Sequence, residues 1–354
     1  MLNEIEISGT KIGTKHPPYI VAEISANHNG SLEDAKRLVE AGQSVGVNAI
    51  KIQTYTPDTI TLRCNSDDFC INEGLWRGRT LYELYEEAHT PWEWHKELFE
   101  FAHGKGVTIF SSPFDFSAVD FLEDLGAPAY KIASFEIVDL PLIRYAASTG
   151  KPLIISTGMA SKTEIAEAVE AARNAGCEQL VLLRCVSSYP APAQDYNLST
   201  MRDMSESCGV LTGLSDHTIG NTTAISSISL GACLIEKHFT LNRNGGGPDD
   251  SFSVEPEEMG VLCKEAKVAW QSLGQVDYSI KSSETSSIKF RRSLYFVKDI
   301  AAGDTITEDS IRSVRPGYGI SPKYFNNLIG RVVPKSQCKN CPVPMDALDW
   351  KQIE

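Results

Sequence analysis

An α/β fold, a parallel (β/α)8 TIM barrel followed by a small separate domain, is predicted by three observations. Eight short apolar runs alternate with segments of helical period. The turn after the first run lacks a phosphate-binding glycine pattern. The composition becomes polar and serine-rich past residue 274. Together they divide the 354-residue chain into a catalytic barrel over 1–274, a linker over 275–289 and a C-terminal domain over 290–354.

The opening stretch EIEISGTKIG reads as a small hairpin. The runs that follow are Tyr19–Ser25, Ala49–Tyr55, Val107–Pro113, Ala129–Ser134, Pro152–Gly158, Gln179–Ser187, Val210–His217 and Cys233–Thr240. They are rich in Ile, Val and Leu with little alternation, as strands buried on both faces should be. Between them lie SLEDAKRLVEAGQSVG, HKELFEFAHGKG, KTEIAEAVEAARNAG and EPEEMGVLCKEAKVAWQSLG, apolar at helical spacing and several stopping at Gly. Eight strand–helix units in about 260 residues suit a barrel. A doubly wound open sheet would show a glycine-rich turn after its first strand, where this chain has EISANHNG.

The connection from Thr56 to Thr90 is long for a strand-to-helix loop, which points to a lid or an interface; Trp92 and Trp94 are expected to anchor it by packing. The segment DYSIKSSETSSIK reads as linker. Beyond it, Phe290 to Trp350 has short strands and Pro/Gly breaks. A domain of about 60 residues is marginal alone and gains from docking on the barrel or on a partner subunit.

The formal charge of −13 argues against general nucleic-acid binding and requires that any site for an anion concentrate its own positive charge. No run approaches the ~20 apolar residues of a membrane span. MLNEIEISGT lacks the basic start and apolar core of a secretory signal, so the cytoplasm is the expected location. The nine cysteines, including a lone CxxC at Cys338 and Cys341 and the pair Cys64 and Cys70, read as reduced thiols.

Barrel chemistry sits where the strands end. The first run ends at Glu23, Ser25 and Asn27, and the second carries Lys51 and Gln53. The fourth carries Lys131 and Ser134, then Glu136; the fifth ends in Ser156-Thr157-Gly158. The sixth leads to Ser188 and Tyr189, the seventh to Ser215, Asp216 and His217, and the eighth to Glu236, Lys237 and His238. A polar strand end that meets water explains many of these singly. It explains Lys51 and Lys131 less well, because each lies inside an apolar run where an unpaired ammonium is costly to bury. Two such lysines call for a phosphate or a carboxylate, with Ser134, Ser156 and Ser215 as neutral donors.

His217 and His238 end consecutive strands about 4.8 Å apart, so both imidazoles reach one ion. Two His with oxygen ligands from water or substrate suit Mn2+ or a similar divalent ion, Mg2+ or Co2+ among them, better than a closed zinc site. His16, His28, His89, His95 and His103 are expected to be packed, hydrogen-bonded residues. Asp249 falls in the glycine-rich stretch NRNGGGPDDSF, which lets backbone approach a ligand but is also an ordinary surface turn.

EISANHNG, IKIQTY, YKIAS followed by Glu136, ISTG, SSYPAP, GLSDHT and IEKHFT followed by GGPD resemble the motifs of the sialic acid synthase family, in order and each at a strand end. RRSLYFVKDIAAGDTIT and VRPGYGIS resemble its antifreeze-like (SAF) domain. Within that family LWRGRTLYELYEEAHTPWEWHKELF, FSSPFD and YKIASFEIVDLPLIRY resemble the pseudaminate-forming branch; the N-acetylneuraminate and legionaminate branches typically have Gly where Phe135 stands. An apolar ring there would suit a 6-deoxy sugar.

The resemblance implies condensation of phosphoenolpyruvate with an N-acylated amino sugar, by C–O cleavage and with a divalent metal. It assigns Lys51, Lys131, Ser134, Ser156 and Ser215 to phosphoenolpyruvate and His217 and His238 to the metal. Glu23 and Asp249 would position a water on that metal, and Gln53, Tyr189 and Asp249 would contact the sugar. It also implies a domain-swapped homodimer, with Arg315 inserted across the interface. Glu136 and Glu236 are both candidates for the general base. Two rival classes fit the sequence less well: a barrel metallohydrolase would want HxH on its first strand, where this chain has NHNG, and a sugar-binding or ice-binding module would leave the buried lysines without purpose.

Overall fold

Side-chain alternation along each strand decides what fills the barrel and what meets the helices. The structure, a computed structural model, describes residues 4–352. The chain divides into two units, Met1–Gly274 and Gln275–Glu354.

In the first unit β1 (Ile5–Ile7) and β2 (Thr10–Ile12) pair as an antiparallel hairpin. Then come β3 (Tyr19–Glu23), β4 (Ala49–Thr54), β5 (Thr108–Pro113), β6 (Tyr130–Ile132), β7 (Leu153–Ser156), β8 (Leu180–Cys185), β9 (Leu211–Asp216) and β10 (Leu234–His238). These eight close into a parallel barrel in chain order, β10 returning to β3. Each predicted run contains its strand, which starts at most one residue later and stops at most two residues earlier. The trimmed ends are the turns that carry polar groups.

Tyr19, Val21, Ala49, Phe110, Ala129, Ile154, Val181, Leu183, Leu211 and Leu234 form the inner core, and Ile5, Ile7 and Ile12 of the hairpin pack with them against the strands' N-terminal ends. The alternate residues, among them Ile50, Ile52, Ile109, Ile132, Ile155, Leu182 and Ile235, pack outward on Leu38, Val39, Leu98, Leu142 and Ala168 of the surrounding helices. Each such aliphatic side chain stabilises the fold by about 1.5–3 kcal/mol.

Helix starts follow their caps. Ser31 accepts from the Asp34 N–H ahead of helix Leu32–Val45, which Gly46 ends in the left-handed conformation. Thr80 with Glu83, and Ser161 with Glu164, form capping boxes for Leu81–Ala88 and Lys162–Asn174. The long connection after β4 is therefore not bare loop: it holds helices Pro57–Ile60 and Leu81–Ala88 around an irregular excursion.

The second unit pairs β11 (Ser293–Phe296) with β12 (Ile311–Val314). Leu294, Phe296, Ile300, Ile306, Ile311, Ile320, Leu328, Val333 and Val343 give it a core of its own. Ser282–Phe290, which overlaps the end of the segment read as linker and the first residue after it, forms 3-10 turns with no buried residue.

Candidate active site

Inward positions at the C-terminal ends of the strands converge on one crater. Glu23 on β3, Lys51 and Gln53 on β4, Lys131 on β6, Ser156 on β7, Ser215 on β9 and Glu236 on β10 project into it, with His217 and His238 at its rim.

Both lysines enter the crater already paired with carboxylates. Lys51 Nζ stands 2.6 Å from Glu23 Oε2 and 3.7 Å from Glu236 Oε1. Lys131 Nζ donates to the same Glu236 oxygen at 3.0 Å, and Ser215 Oγ donates to it at 3.4 Å. Two ammoniums thus bracket one carboxylate oxygen in a site almost closed to solvent. Burial alone would draw Lys51 down, but Glu23 and Glu236 outweigh it and hold it above the ordinary lysine value. Burial dominates at Lys131 and lowers it. Burial raises Glu23, helped by the Glu236 charge and opposed by Lys51, whereas at Glu236 the two lysines outweigh burial and lower it.

A second chain of hydrogen bonds runs from Glu23 to Asp249. Gln53 Nε2 donates to Glu23 Oε1 at 3.0 Å and to Ser25 Oγ at 3.1 Å, and Ser25 Oγ donates to Asp249 Oδ2 at 2.5 Å. Ser25 adopts φ 41°, a conformation uncommon outside glycine and typical of functional turns. Burial lifts Asp249 above its usual range, with the Ser25 hydrogen bond opposing.

The two imidazoles lie with centroids 5.4 Å apart. His217 donates its Nδ1–H to the Val186 carbonyl at 2.8 Å, which leaves Nε2 as the lone-pair nitrogen. His238 Nδ1 is buried without a partner, 3.9 Å from Asp249 Oδ2, and burial followed by the neighbouring cations keeps His238 well below its ordinary value, neutral. Among the described residues no group of three His, Cys, Asp or Glu is arranged around an ion. His217 Nε2 and the unpartnered His238 Nδ1 still fit a divalent ion completed by oxygen from outside the chain. Outside the barrel wall, a buried Lys237–Asp216 pair at 2.8 Å ties β10 to β9 directly behind both histidines, and Lys237 also donates to Thr218 O at 2.7 Å.

Other buried polar atoms in the crater lack partners: Ser156 Oγ, Ser187 Oγ, Glu136 Oε2 and Glu236 Oε2. Unsatisfied groups concentrated in one place mark a ligand site. Gly158 donates its N–H to Ser134 Oγ at 3.1 Å, and a Cβ there would come within 2.2 Å of Ser187 Oγ, so the backbone itself borders the cavity. Glu136 follows on the turn Ser134–Glu136, where burial pushes its carboxyl up to about 7 against the opposing Lys131 charge. Tyr189 lies on His217 at 4.3 Å and against Phe252 at 5.1 Å. Phe135 points its ring largely to solvent. Arg315 is exposed, on the turn after β12 in the second unit.

Three contributors were missed from sequence. Asp250, buried beside Asp249, accepts from Gly247 N at 2.9 Å and Asn29 Nδ2 at 3.1 Å and so shapes the glycine loop. Cys185 faces His217 at 4.0 Å; the alternation Val181, Leu183, Cys185 along β8 was the available signal. Trp76 reaches the site from the long connection after β4, whose length pointed to a lid or an interface without singling out this residue. Of the other histidines, His28 and His95 are buried, and His95 is hydrogen-bonded as expected, to Thr54 Oγ1 at 2.8 Å.

Fold and site define a barrel synthase, and the chain belongs to the NeuB family, which matches residues 38–278; the SAF domain matches 291–349. The resemblance to the sialic acid synthase family therefore holds. The chain is 43% identical over 334 residues to the pseudaminic acid synthase of Helicobacter pylori, covering 94% of this chain and 98% of that one. It is 41% identical over 317 residues to the pseudaminic acid synthase of Campylobacter jejuni, covering 90% and 92%. Among solved structures, the N-acetylneuraminic acid synthetase of Leptospira borgpetersenii, in complex with citrate, superposes with a TM-score of 0.72 at 31% identity, over 82% of this chain and 96% of that one.

Proposed function

We propose that this enzyme is a pseudaminic acid synthase, condensing phosphoenolpyruvate with the open-chain aldehyde of 2,4-diacetamido-2,4,6-trideoxy-β-L-altropyranose to give pseudaminic acid and phosphate. The observation that carries the proposal is the convergence of Lys51, Lys131 and Ser215 on one carboxylate oxygen beside the unpartnered Ser156 hydroxyl and the adjacent imidazoles of His217 and His238. That constellation offers an anion site next to a cation site inside one barrel mouth. Similarity to pseudaminic acid synthases along most of the chain supports the choice of sugar.

In this scheme the Lys51 and Lys131 ammoniums and the Ser134, Ser156 and Ser215 hydroxyls hold the phosphate and carboxylate of phosphoenolpyruvate, which fixes C3 against the aldehyde and removes the entropy of their encounter. Gln53, Tyr189 and Asp249 orient the sugar. His217 and His238 would hold a divalent ion, Mn2+ in our proposal, which when bound polarises the aldehyde carbonyl as a Lewis acid. The C2–C3 π pair attacks the carbonyl carbon, a C–C bond forms as the carbonyl π bond breaks and its oxygen takes a proton from solvent, and positive character develops at C2. Water adds at C2 while a carboxylate takes its proton, and the tetrahedral carbon then expels phosphate with C–O cleavage. Glu136 suits the base role better than Glu236: burial raises its carboxyl to about 7, while Glu236, whose Oε2 is equally unpartnered, is held low by the two lysines at its other oxygen. Two copies are proposed to pair as a domain-swapped homodimer, Arg315 of each completing the sugar site of the other.

One experiment tests the assignment. Purified enzyme is offered phosphoenolpyruvate with the altrose isomer, the corresponding mannose isomer, or N-acetylmannosamine, after chelation and again after Mn2+ is restored. Phosphate release and a nine-carbon acid from the altrose sugar alone, and only with metal, are expected. Product from another sugar reassigns the branch, and full activity after chelation removes the metal role.

A further inference from the structure

The excursion after β4 is built to carry one aromatic ring across the crater. Residues 70–80 form a small hairpin: Cys70 bridges Thr80, Ile71 N donates to Arg79 O at 2.8 Å, and Gly78 N donates to Ile71 O at 2.8 Å. Gly74 and Gly78 take φ 80° and 89°, which L side chains rarely adopt, so the turn depends on both glycines. Arg79 fastens the base of the hairpin to helix Leu81–Ala88 by donating to Glu83 O at 2.9 Å and to Glu87 Oε2 at 2.5 Å.

Trp76 sits near the tip, half-buried, and its contacts lie far away in sequence. Its Nε1–H donates to Pro248 O at 3.0 Å, and its ring centre is 5.8 Å from that of Tyr189. In the ring of eight strands β4 stands opposite β8, so the hairpin crosses the mouth to meet Tyr189 beyond β8 and Pro248 beyond β10. Pro248 immediately precedes Asp249, so Trp76 touches one residue that the proposed function gives to the sugar and the neighbour of another. No phosphoenolpyruvate group is among its contacts. With its single N–H spent on Pro248, the indole offers a ligand only its apolar face and edge, a surface for C–H and methyl groups and not for hydroxyls.

We propose that Trp76 is a specificity-determining contact for the amino sugar, packing on an apolar part of it, and that the 70–80 hairpin forms the sugar-side wall of the site. This rests on the proposed function, since it concerns the second substrate of that reaction.

Steady-state kinetics of Trp76→Ala and Trp76→Phe, with each substrate varied in turn, test it. Loss of one aromatic contact should raise the KM for the sugar about tenfold in Trp76→Ala. The KM for phosphoenolpyruvate and the melting temperature should stay close to wild type, and Trp76→Phe, which keeps a ring but not the N–H, should recover part of the loss. A purely structural role would move both KM values together or lower stability, and that pattern overturns the inference, as does an unchanged sugar KM in both variants. Should Trp76→Ala not fold, the same comparison is made on Trp76→Phe, where a sugar KM equal to wild type with a raised phosphoenolpyruvate KM overturns it. Wild-type enzyme that turns over no amino sugar would remove the proposed function and this inference together, whereas turnover with unaltered variants removes the inference alone.

Discussion

Glu136 has a buried Oε2 without a partner and a carboxyl raised by burial to about 7. If it takes the proton from the attacking water, kcat/KM rises with pH along a limb centred near 7. Glu136→Gln should remove that limb and lower turnover by about 10²–10⁴-fold. Survival of the limb in the glutamine variant would hand the base role to Glu236. The linkage sign is opposite for stability. Folding raises this pKa, so the contribution is full below the unfolded carboxyl value and is lost as pH climbs toward about 7. The glutamine variant should therefore lose less of its melting temperature between those limits. Lys51 and Lys131 teach the complementary lesson. Their positions inside apolar runs were visible, but their companions Glu23 and Glu236 lie on other strands, and only the folded barrel shows that the ammoniums enter as paired charges.

At the scale of elements, β9 and β10 matter most, because each ends in an imidazole. Their approach depends on Gly213, an inward position where a Cβ would lie 2.3 Å from the Leu234 carbonyl oxygen. Backbone cannot step aside as a side-chain tip can, so Gly213→Ala should force the two strands apart and lower stability by about 1–3 kcal/mol, read as the urea midpoint. A midpoint equal to wild type would show that the barrel has slack at this crossing. Behind the same strands the Lys237–Asp216 pair is fully buried, so removing either partner would strand a charge. Its place outside the barrel follows from alternation: Glu236 and His238 face inward, so Lys237 between them cannot.

For the whole molecule, two cores imply two folding units. The barrel is stabilised by its inner and outer apolar layers, and the second unit by Leu294, Phe296, Ile306, Ile311 and their neighbours. Urea unfolding should proceed in two phases, and Phe296→Ala, which deletes a fully buried ring worth about 3–5 kcal/mol, should shift only one of them. A single transition displaced as a whole would mean that the units unfold as one. The formal charge of −13 adds a condition for function. An anionic substrate is repelled by the molecule at large and must be drawn in by groups concentrated at the crater.

The eight strand segments and their polar ends were determined by the sequence alone, because a parallel strand buried on both faces is a continuous apolar run and its polar end is conspicuous. Glu23, Lys51, Lys131, His217 and His238 could be named for that reason. Which end residues face the crater was not so determined, since Asp216 and Lys237 lie behind its wall. What only the tertiary structure decided lies between elements distant along the chain: the pairing of each lysine, the Ser25–Asp249 link, Asp250 beneath the glycine loop, and Trp76 on a hairpin that crosses the mouth. Hydrophobic periodicity is a local property that any short window reveals. A charge partner on another strand or a lid contact across the mouth leaves no trace in such a window, since its energy exists only once the barrel has closed.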